Sequence, residues 1–468
     1  MHGRILILCL ILAALNCSAA TWYVSDAGSG NGSGSDVNNC YSRTAWVNSQ
    51  QYTAPGDVVT MVGTNAQTME IYSDGTATQP ITVNFYPGAK FSTTNGQFWT
   101  IPHRQYIVID GGTNNTIFEN TATGTGLTWQ DNKVFIDLSS SSNITVKNII
   151  FKGQYVHTAT NDAAAGGGGG CIYSSFWMGT NYIMNCVFTD ACWCIDSQST
   201  ANAGELVVSN NSFYRYDHGI VPNNFPQIAI LNNHFDTTSN WDTTINAYHH
   251  DGIHYYGGTT IPQSYVIAGN IFTGDWGANN TAHIFNETGP GNLQIYNNLF
   301  IVWPGNYLND GCVTAGGTNE LVANNTFIGN GTANSSALST SSYTNTIVNN
   351  LFTGFNAYIA TGLGNAITLS NNLYANEASG GDGWSSFSSW TNTYGEVNSS
   401  YTSASSGVVN SDGTIPSGSP AIGAGANLSA FYIADYAGTT RSVPWTIGAY
   451  AAAAAGAPPV PQYMGTWN

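Results

Sequence analysis

Basic residues are scarce in this chain. Its 468 residues include nine Lys and Arg against 26 Asp and Glu, a formal net charge of −17, and no Lys follows Lys152. Nucleic acid and anionic membranes are held through clusters of Lys and Arg, so neither is expected as a partner. A densely charged polyanionic substrate is disfavoured on the same ground. Long apolar runs are missing too. Beyond the first twenty residues nothing approaches the roughly 20 apolar residues of a membrane helix, and no membrane insertion is expected.

Residues 1–20 read as a secretory signal: Arg4, an apolar run from Ile5 to Leu15, then Ser18, Ala19 and Ala20 as a small-residue cleavage site. The mature chain would begin at Thr21 and act outside the cytoplasm, secreted or periplasmic. It would keep six of the eight cysteines, and four of these (Cys171, Cys186, Cys192, Cys194) crowd together, which suits disulfides in an oxidising compartment.

What the chain does have is a phrase repeated nine times. An aliphatic residue is followed two places on by Asn and three places later by a ring, with the rings at Phe151, Phe188, Phe213, Phe235, Phe272, Phe300, Phe327, Phe352 and Tyr374. The Asn positions are Asn148, Asn185, Asn210, Asn232, Asn297, Asn324, Asn349 and Asn371, with Gly269 the exception. The aliphatic positions are Val146, Ile183, Val208, Ile230, Ile267, Ile295, Val322, Ile347 and Leu369. A strand this short cannot bury its own apolar face, so the copies must stack. Six of the eight ring-to-ring intervals are 22 to 28 residues, the length of one coil, and the other two are 37; the expected fold is an all-β, right-handed parallel β-helix with inserted loops. The repeated Asn would form an internal amide ladder beside a column of rings.

Strands punctuated by turns open the chain: Thr21-Trp22-Tyr23-Val24-Ser25, Pro55-Gly56-Asp57-Val58-Val59, Asp74-Gly75-Thr76 before Pro80-Ile81-Thr82-Val83, and Tyr86-Pro87-Gly88. Near the end stand Ser419-Pro420-Ala421-Ile422-Gly423-Ala424-Gly425, then Asp435, Gly438, Arg441 and Ile447-Gly448-Ala449-Tyr450. Together these resemble the opening and closing segments of secreted β-helix proteins of the pectate-lyase-like superfamily. The resemblance implies fold and export; that fold carries lyases, hydrolases, esterases and adhesins alike. The organisation expected is a signal peptide (1–20), an N-terminal part of the β-helix (21–143), its coils and closing segment (144–450) in the same domain, and a flexible Ala/Pro-rich tail (451–468).

Two repeat intervals stretch to 37 residues, and the second holds Tyr248-His249-His250-Asp251-Gly252-Ile253-His254-Tyr255-Tyr256, with three of the chain's nine histidines. Each coil has a further strand marked by an apolar residue preceded by a small one. Aligning Cys194-Ile195, Gly219-Ile220, Gly252-Ile253, His283-Ile284, Gly311-Cys312 and Ala337-Leu338 makes His218 the neighbour of Asp251, about 4.8 Å away, and puts Asp310 two coils beyond. One position earlier Asp217 would lie beside His250. Strict alternation would turn Asp217, His250 and His254 to solvent and His218 and Asp251 inward; a bend at the following Gly would reverse the latter pair.

Asp251, Asp217, Asp310, His218, His250 and His254 are therefore the candidate catalytic residues, two carboxylates serving as acid and base and the imidazoles tuning them. The same stretches resemble those of polygalacturonase-like glycosidases, but His precedes Asp and a basic substrate clamp has no counterpart. Arg215, Tyr248, Tyr255, Tyr256 and Trp276 are candidate substrate-binding residues, flat rings being suited to stacking on sugars. Turn formation explains Asp251-Gly252 and Asp310-Gly311 equally well. His218, His250, Asp251 and His254 include metal-ligand types but form no compact motif, and no metal ligand is assigned. Calcium on Asp and Asn loops is compatible with the composition and cannot be placed. The reading is a polysaccharide hydrolase acting as a monomer; the alternatives are a calcium-assisted lyase using Arg215 and a non-catalytic glycan-binding or adhesive protein.

Overall fold

The computed structural model describes residues 19–49, 53–94, 98–113, 115–121, 134–155, 170–197, 202–242, 249–255, 264–278, 280–287, 291–331, 336–340, 344–355, 357–361, 367–375 and 386–452. The chain winds as an all-β, right-handed parallel β-helix, and every pairing between its strands of two or more residues is parallel. One face is a sheet of 14 strands running from Tyr41–Ser42 to Thr368–Ser370. Two further faces join into one sheet of 22 strands, because the 11-residue strands Val187–Ser197 and Ser212–Pro222 pass round the corner and belong to both.

The aliphatic column stacks in register on the first face: Val146 pairs with Ile183, Ile183 with Val208, Val208 with Ile230, and so on to Leu369. The nine rings stack on the second face. Their centroids are 4.6 to 5.3 Å apart and their planes within 10° of parallel. That separation is the spacing of paired strands, so each coil delivers one ring to the column.

The Asn ladder exists one position later than expected. The Asn three places before each ring sits at the corner between faces with φ of 51–60°, and Gly269 takes φ 69° in its turn. Asn tolerates this left-handed conformation better than other residues with a Cβ, and Gly tolerates it without strain, which explains the single exception. The buried ladder is built by the next residue: Asn211, Asn233, Asn270, Asn298, Asn325, Asn350 and Asn372. Each donates its amide to the Oδ1 above or to the end group, and to the carbonyl of the aliphatic residue one coil back, as Asn325 does to Asn350 (3.1 Å) and Ile295 (2.8 Å). The corner amides have another task. Asn297, Asn324, Asn349 and Asn371 donate to carbonyls of Ala434, Thr446, Ala426 and Ala424, docking the closing segment along the coils.

The expected disulfides are not formed. Cys40, Cys171, Cys186, Cys192, Cys194 and Cys312 are all free and buried. Cys171, Cys186, Cys194 and Cys312 belong to the main hydrophobic core, where a thiol packs as a small apolar group. Burial raises Cys186 to about 12. Among the described residues no helix is long and apolar enough to cross a membrane.

Candidate active site

The site arises from a bend in the third face. Pairing runs Trp193 to His218 and Ile195 to Ile220, then His218 to Asp251 and Ile220 to Ile253, with Cys194, Gly219 and Gly252 lying between the paired positions. At these intervening positions a second residue faces the core. Cys194 lies in the core cluster, and a Cβ on Gly219 or Gly252 would come within 3.2 Å of the Phe235 or Phe272 ring. The same Cβ would meet the next coil's carbonyl at 2.5 Å, so nothing larger than glycine fits at 219 or 252. With two successive residues inward, the residues on either side point outward. Asp251 and His254 thus flank Gly252-Ile253 on the outer side of one strand, and His218 joins them from the coil before.

Their polar atoms converge. His218 Nε2 lies 3.0 Å from His254 Nδ1, and Asp251 Oδ2 lies 3.6 Å from the first and 3.5 Å from the second. The half-exposed His249 brings Nε2 to 3.9 Å from the same oxygen. Asp217 Oδ2 accepts from His218 Nδ1 at 2.9 Å, and Glu287 Oε2 accepts from His254 Nε2 at 3.2 Å. Trp193 walls the His218 ring at 5.1 Å and Phe285 the His254 ring at 4.9 Å. Asp251 Oδ1 accepts from the Ala282 amide at 3.0 Å, while Oδ2 is buried with no hydrogen-bond partner.

Burial sets the protonation here. It drives Asp251 well above the ordinary carboxylate range, helped by Asp217, Asp310 and Glu287 and opposed by the Ala282 amide. It drives His218 well below the ordinary imidazole range, with His249 and His250 adding repulsion, and His254 down to about 2. In the bare protein these are therefore contacts between neutral groups, not ion pairs.

The structure brings His218, Asp251, Asp217 and His254 together and moves other candidates elsewhere. His218 and Asp251 are direct strand partners, as the alignment required. His254 is buried, since His249 and Phe285 cover it. Asp217 bonds its own neighbour His218, and His250, fully buried, turns to Asp242 (3.2 Å) and the Trp276 carbonyl (3.2 Å), so the two-by-two patch is not formed. Asp310 is off the column by one residue: Val313, not Cys312, pairs with Ile284, and Gly311 takes the place aligned with Asp251. Asp310 itself is exposed.

Arg215 occupies a corner at φ 57°, stacked between Asp190 (54°) and Thr237 (53°), and its Nε is bound to Asp190 at 2.7 Å. Tyr255 and Trp276 are core residues, 2% and 1% exposed, so neither can stack on a sugar. Tyr248 and Tyr256 lie outside the described residues. Two groups escaped the sequence reading. Glu287 was reachable by extending the alignment, because His254 pairs with Phe285 and Glu287 follows two places on. The placement of the partly buried Asp242 against the buried His250 carried no sequence signal.

No family model matches the chain, and no curated protein matches it. Several solved structures are similar in fold. A pectate lyase, Pel9A, aligns over 93% of this chain and 96% of its own with 14% identity and a TM-score of 0.47. A GH136 lacto-N-biosidase from Eubacterium ramulus aligns over 70% of this chain and 64% of its own, at 12% identity and TM-score 0.44. The tailspike of E. coli bacteriophage HK620, solved with a pentasaccharide, aligns over 81% and 79%, at 11% and 0.32. These share the parallel β-helix architecture with this chain.

Proposed function

We propose that the protein is an extracellular carbohydrate-active enzyme that cleaves glycosidic bonds of a polysaccharide by acid–base hydrolysis at the mouth of the His218–Asp251–His254 cluster. The observation that carries this reading is the division of the cluster into a buried interior and an exposed rim. Asp251 and Asp217 are 0% exposed and cannot touch a polymer, whereas the side chains of His249 and Glu287 are 51% and 50% exposed. Glu287 is held by His254, and His254 by the buried groups behind it. The rim thus offers a positioned carboxylate, Glu287, of the type that protonates a leaving oxygen or activates water, with the His249 imidazole beside the cluster it guards.

Hydrolysis of a neutral or weakly acidic glycan is favoured over elimination because the sequence holds no Lys or Arg between Arg215 and Arg441. A lyase must stabilise a uronate carboxylate, and Arg215, the basic residue nearest in sequence, is committed to Asp190. The export signal at residues 1–20 suits a polymer substrate met outside the cell.

The test is a panel of neutral and acidic polysaccharides incubated with the full chain, reading new reducing ends and, in parallel, the absorbance of unsaturated uronates. New reducing ends without unsaturated products, reduced about 100-fold or more in Glu287→Gln, are expected. Unsaturated products would establish a lyase instead. Retention of a glycan with no new ends would leave a binding protein.

A further inference from the structure

The buried interior of the same cluster has a property that acid–base chemistry does not call for. His218 gives its Nδ1 proton to Asp217 and His254 its Nε2 proton to Glu287. Each ring is thereby fixed with its lone pair on the other nitrogen, and those two nitrogens face each other at 3.0 Å. The unpartnered Asp251 Oδ2 completes the triangle at 3.5 and 3.6 Å. A proton on that oxygen could serve one nitrogen at most, at a distance too long for a good hydrogen bond. Three lone-pair atoms directed at one point, out of water, repel one another unless a cation lies between them.

We propose that His218 Nε2, His254 Nδ1 and Asp251 Oδ2, completed by His249, bind one divalent first-row transition-metal ion, with zinc the best fit. A triangle of sides 3.0, 3.5 and 3.6 Å has a centre about 2.0 Å from each corner, the length of a zinc–nitrogen or zinc–oxygen bond. One donor atom from each of the four residues lies within 4.8 Å of the other three, so His249 needs a small rotation to close the fourth position.

The surroundings match as well. A metal-bound imidazole ordinarily gives its other N–H to a carboxylate, which fixes the ring and raises its basicity; Asp217 and Glu287 do this for His218 and His254. Burial keeps both rings neutral, the form that coordinates. Calcium is a poor fit, because it takes six to eight oxygens and this set offers one carboxylate. In sequence the motif is His249-x-Asp251-x-x-His254, with His218 from the coil before; the bend at Gly252-Ile253 turns Asp251 and His254 to one side.

The test measures binding and not turnover. The full chain, stripped with dipicolinate, is titrated calorimetrically with zinc and followed by visible absorption with cobalt(II). One equivalent of either ion is expected, and cobalt should give the d–d bands of a four- or five-coordinate nitrogen–oxygen site. His249→Ala, a change at a half-exposed side chain that carries no core, should keep the fold and weaken zinc at least tenfold; Asp251→Asn should weaken it further. Glu287→Gln should weaken it about tenfold by loosening the His254 ring. Failure of the folded wild type to bind either ion at micromolar concentration would overturn the proposal, as would full affinity in both His249→Ala and Asp251→Asn. A protein that binds zinc yet cleaves no glycan would sink the hydrolytic reading alone, and a zinc-free protein that hydrolyses glycans would sink the metal alone.

Discussion

His218 and Asp251 lie 33 residues apart in sequence and are direct partners across adjacent coils, and their side chains meet at 3.6 Å on the outside of a solenoid. The functional consequence is that neither residue can be changed without disturbing the other's surroundings.

Asp251→Asn should keep the Ala282 hydrogen bond through its remaining oxygen, and therefore the fold, while lowering glycan turnover about 10- to 100-fold by loosening His254, which holds Glu287 at the rim. Arg215→Ala is the contrasting variant. Its half-exposed ion pair with Asp190 contributes at most about 1 kcal/mol, and turnover on a neutral glycan should stay within about threefold. Steady-state rates and thermal midpoints of both variants check this; an inactive Arg215→Ala with an active Asp251→Asn would point to elimination.

Asn325→Ala should cost about 2–4 kcal/mol. The amide donates to Ile295 and Asn350 and accepts from the backbone and side chain of Asn298, so its removal strands several buried polar groups at once. Urea unfolding of the variant gives the number, and a loss below about 1 kcal/mol would show that the ladder contributes little.

At the corner, conformation should matter more than chemistry. Asn210 sits at φ 57°, so Asn210→Gly should cost less than about 1 kcal/mol and Asn210→Val clearly more, about 2 kcal/mol or above. Equal losses in the two variants would assign the preference for Asn to its side-chain contacts.

His283 is fully buried between the Phe272 and Phe300 rings, both of its nitrogens lack a partner, and burial lowers it to about 3 from 6.5. Between those values the unfolded chain takes up a proton that the folded chain refuses. Its contribution is therefore full above pH 6.5 and falls as the pH drops toward 3, by up to about 1.4 kcal/mol per unit. His283→Leu should flatten the acid limb of a plot of melting temperature against pH; an unchanged slope would mean the ring is already protonated in the fold.

The columns of the fold were legible because each repeats. Nine aliphatic residues and nine rings recur at fixed offsets, and a solenoid turns fixed offsets into stacks. The ladder was displaced by one residue because Asn-Asn pairs such as Asn324-Asn325 offer two amides, and which one turns inward depends on a backbone φ that composition does not encode. The site was half legible. The His218–Asp251 pairing followed from aliphatic alignment, but Cys312-Val313 offers two apolar residues for one place, and the choice shifted Asp310. Alternation would have buried Asp251 away from His254; two consecutive inward residues at Gly252-Ile253 overturned it. The cysteines misled because a buried thiol and a half-disulfide look alike in sequence.

The ladder ends on Glu396. Its carboxylate accepts from Asn372, Tyr374, Trp390 and Ser399, so the donors of the final coil meet a group with no amide to pass on. Inside the run each coil presents the same face above and below, and a duplicated or deleted coil would find matching neighbours. Past Glu396 one more short strand, Ser400–Thr402, stacks on Leu373–Ala375, but among the described residues no further Asn continues the ladder. The length of this solenoid can therefore change by insertion within the run, not by growth at that end, and the same stop denies another molecule a template on which to continue the stack.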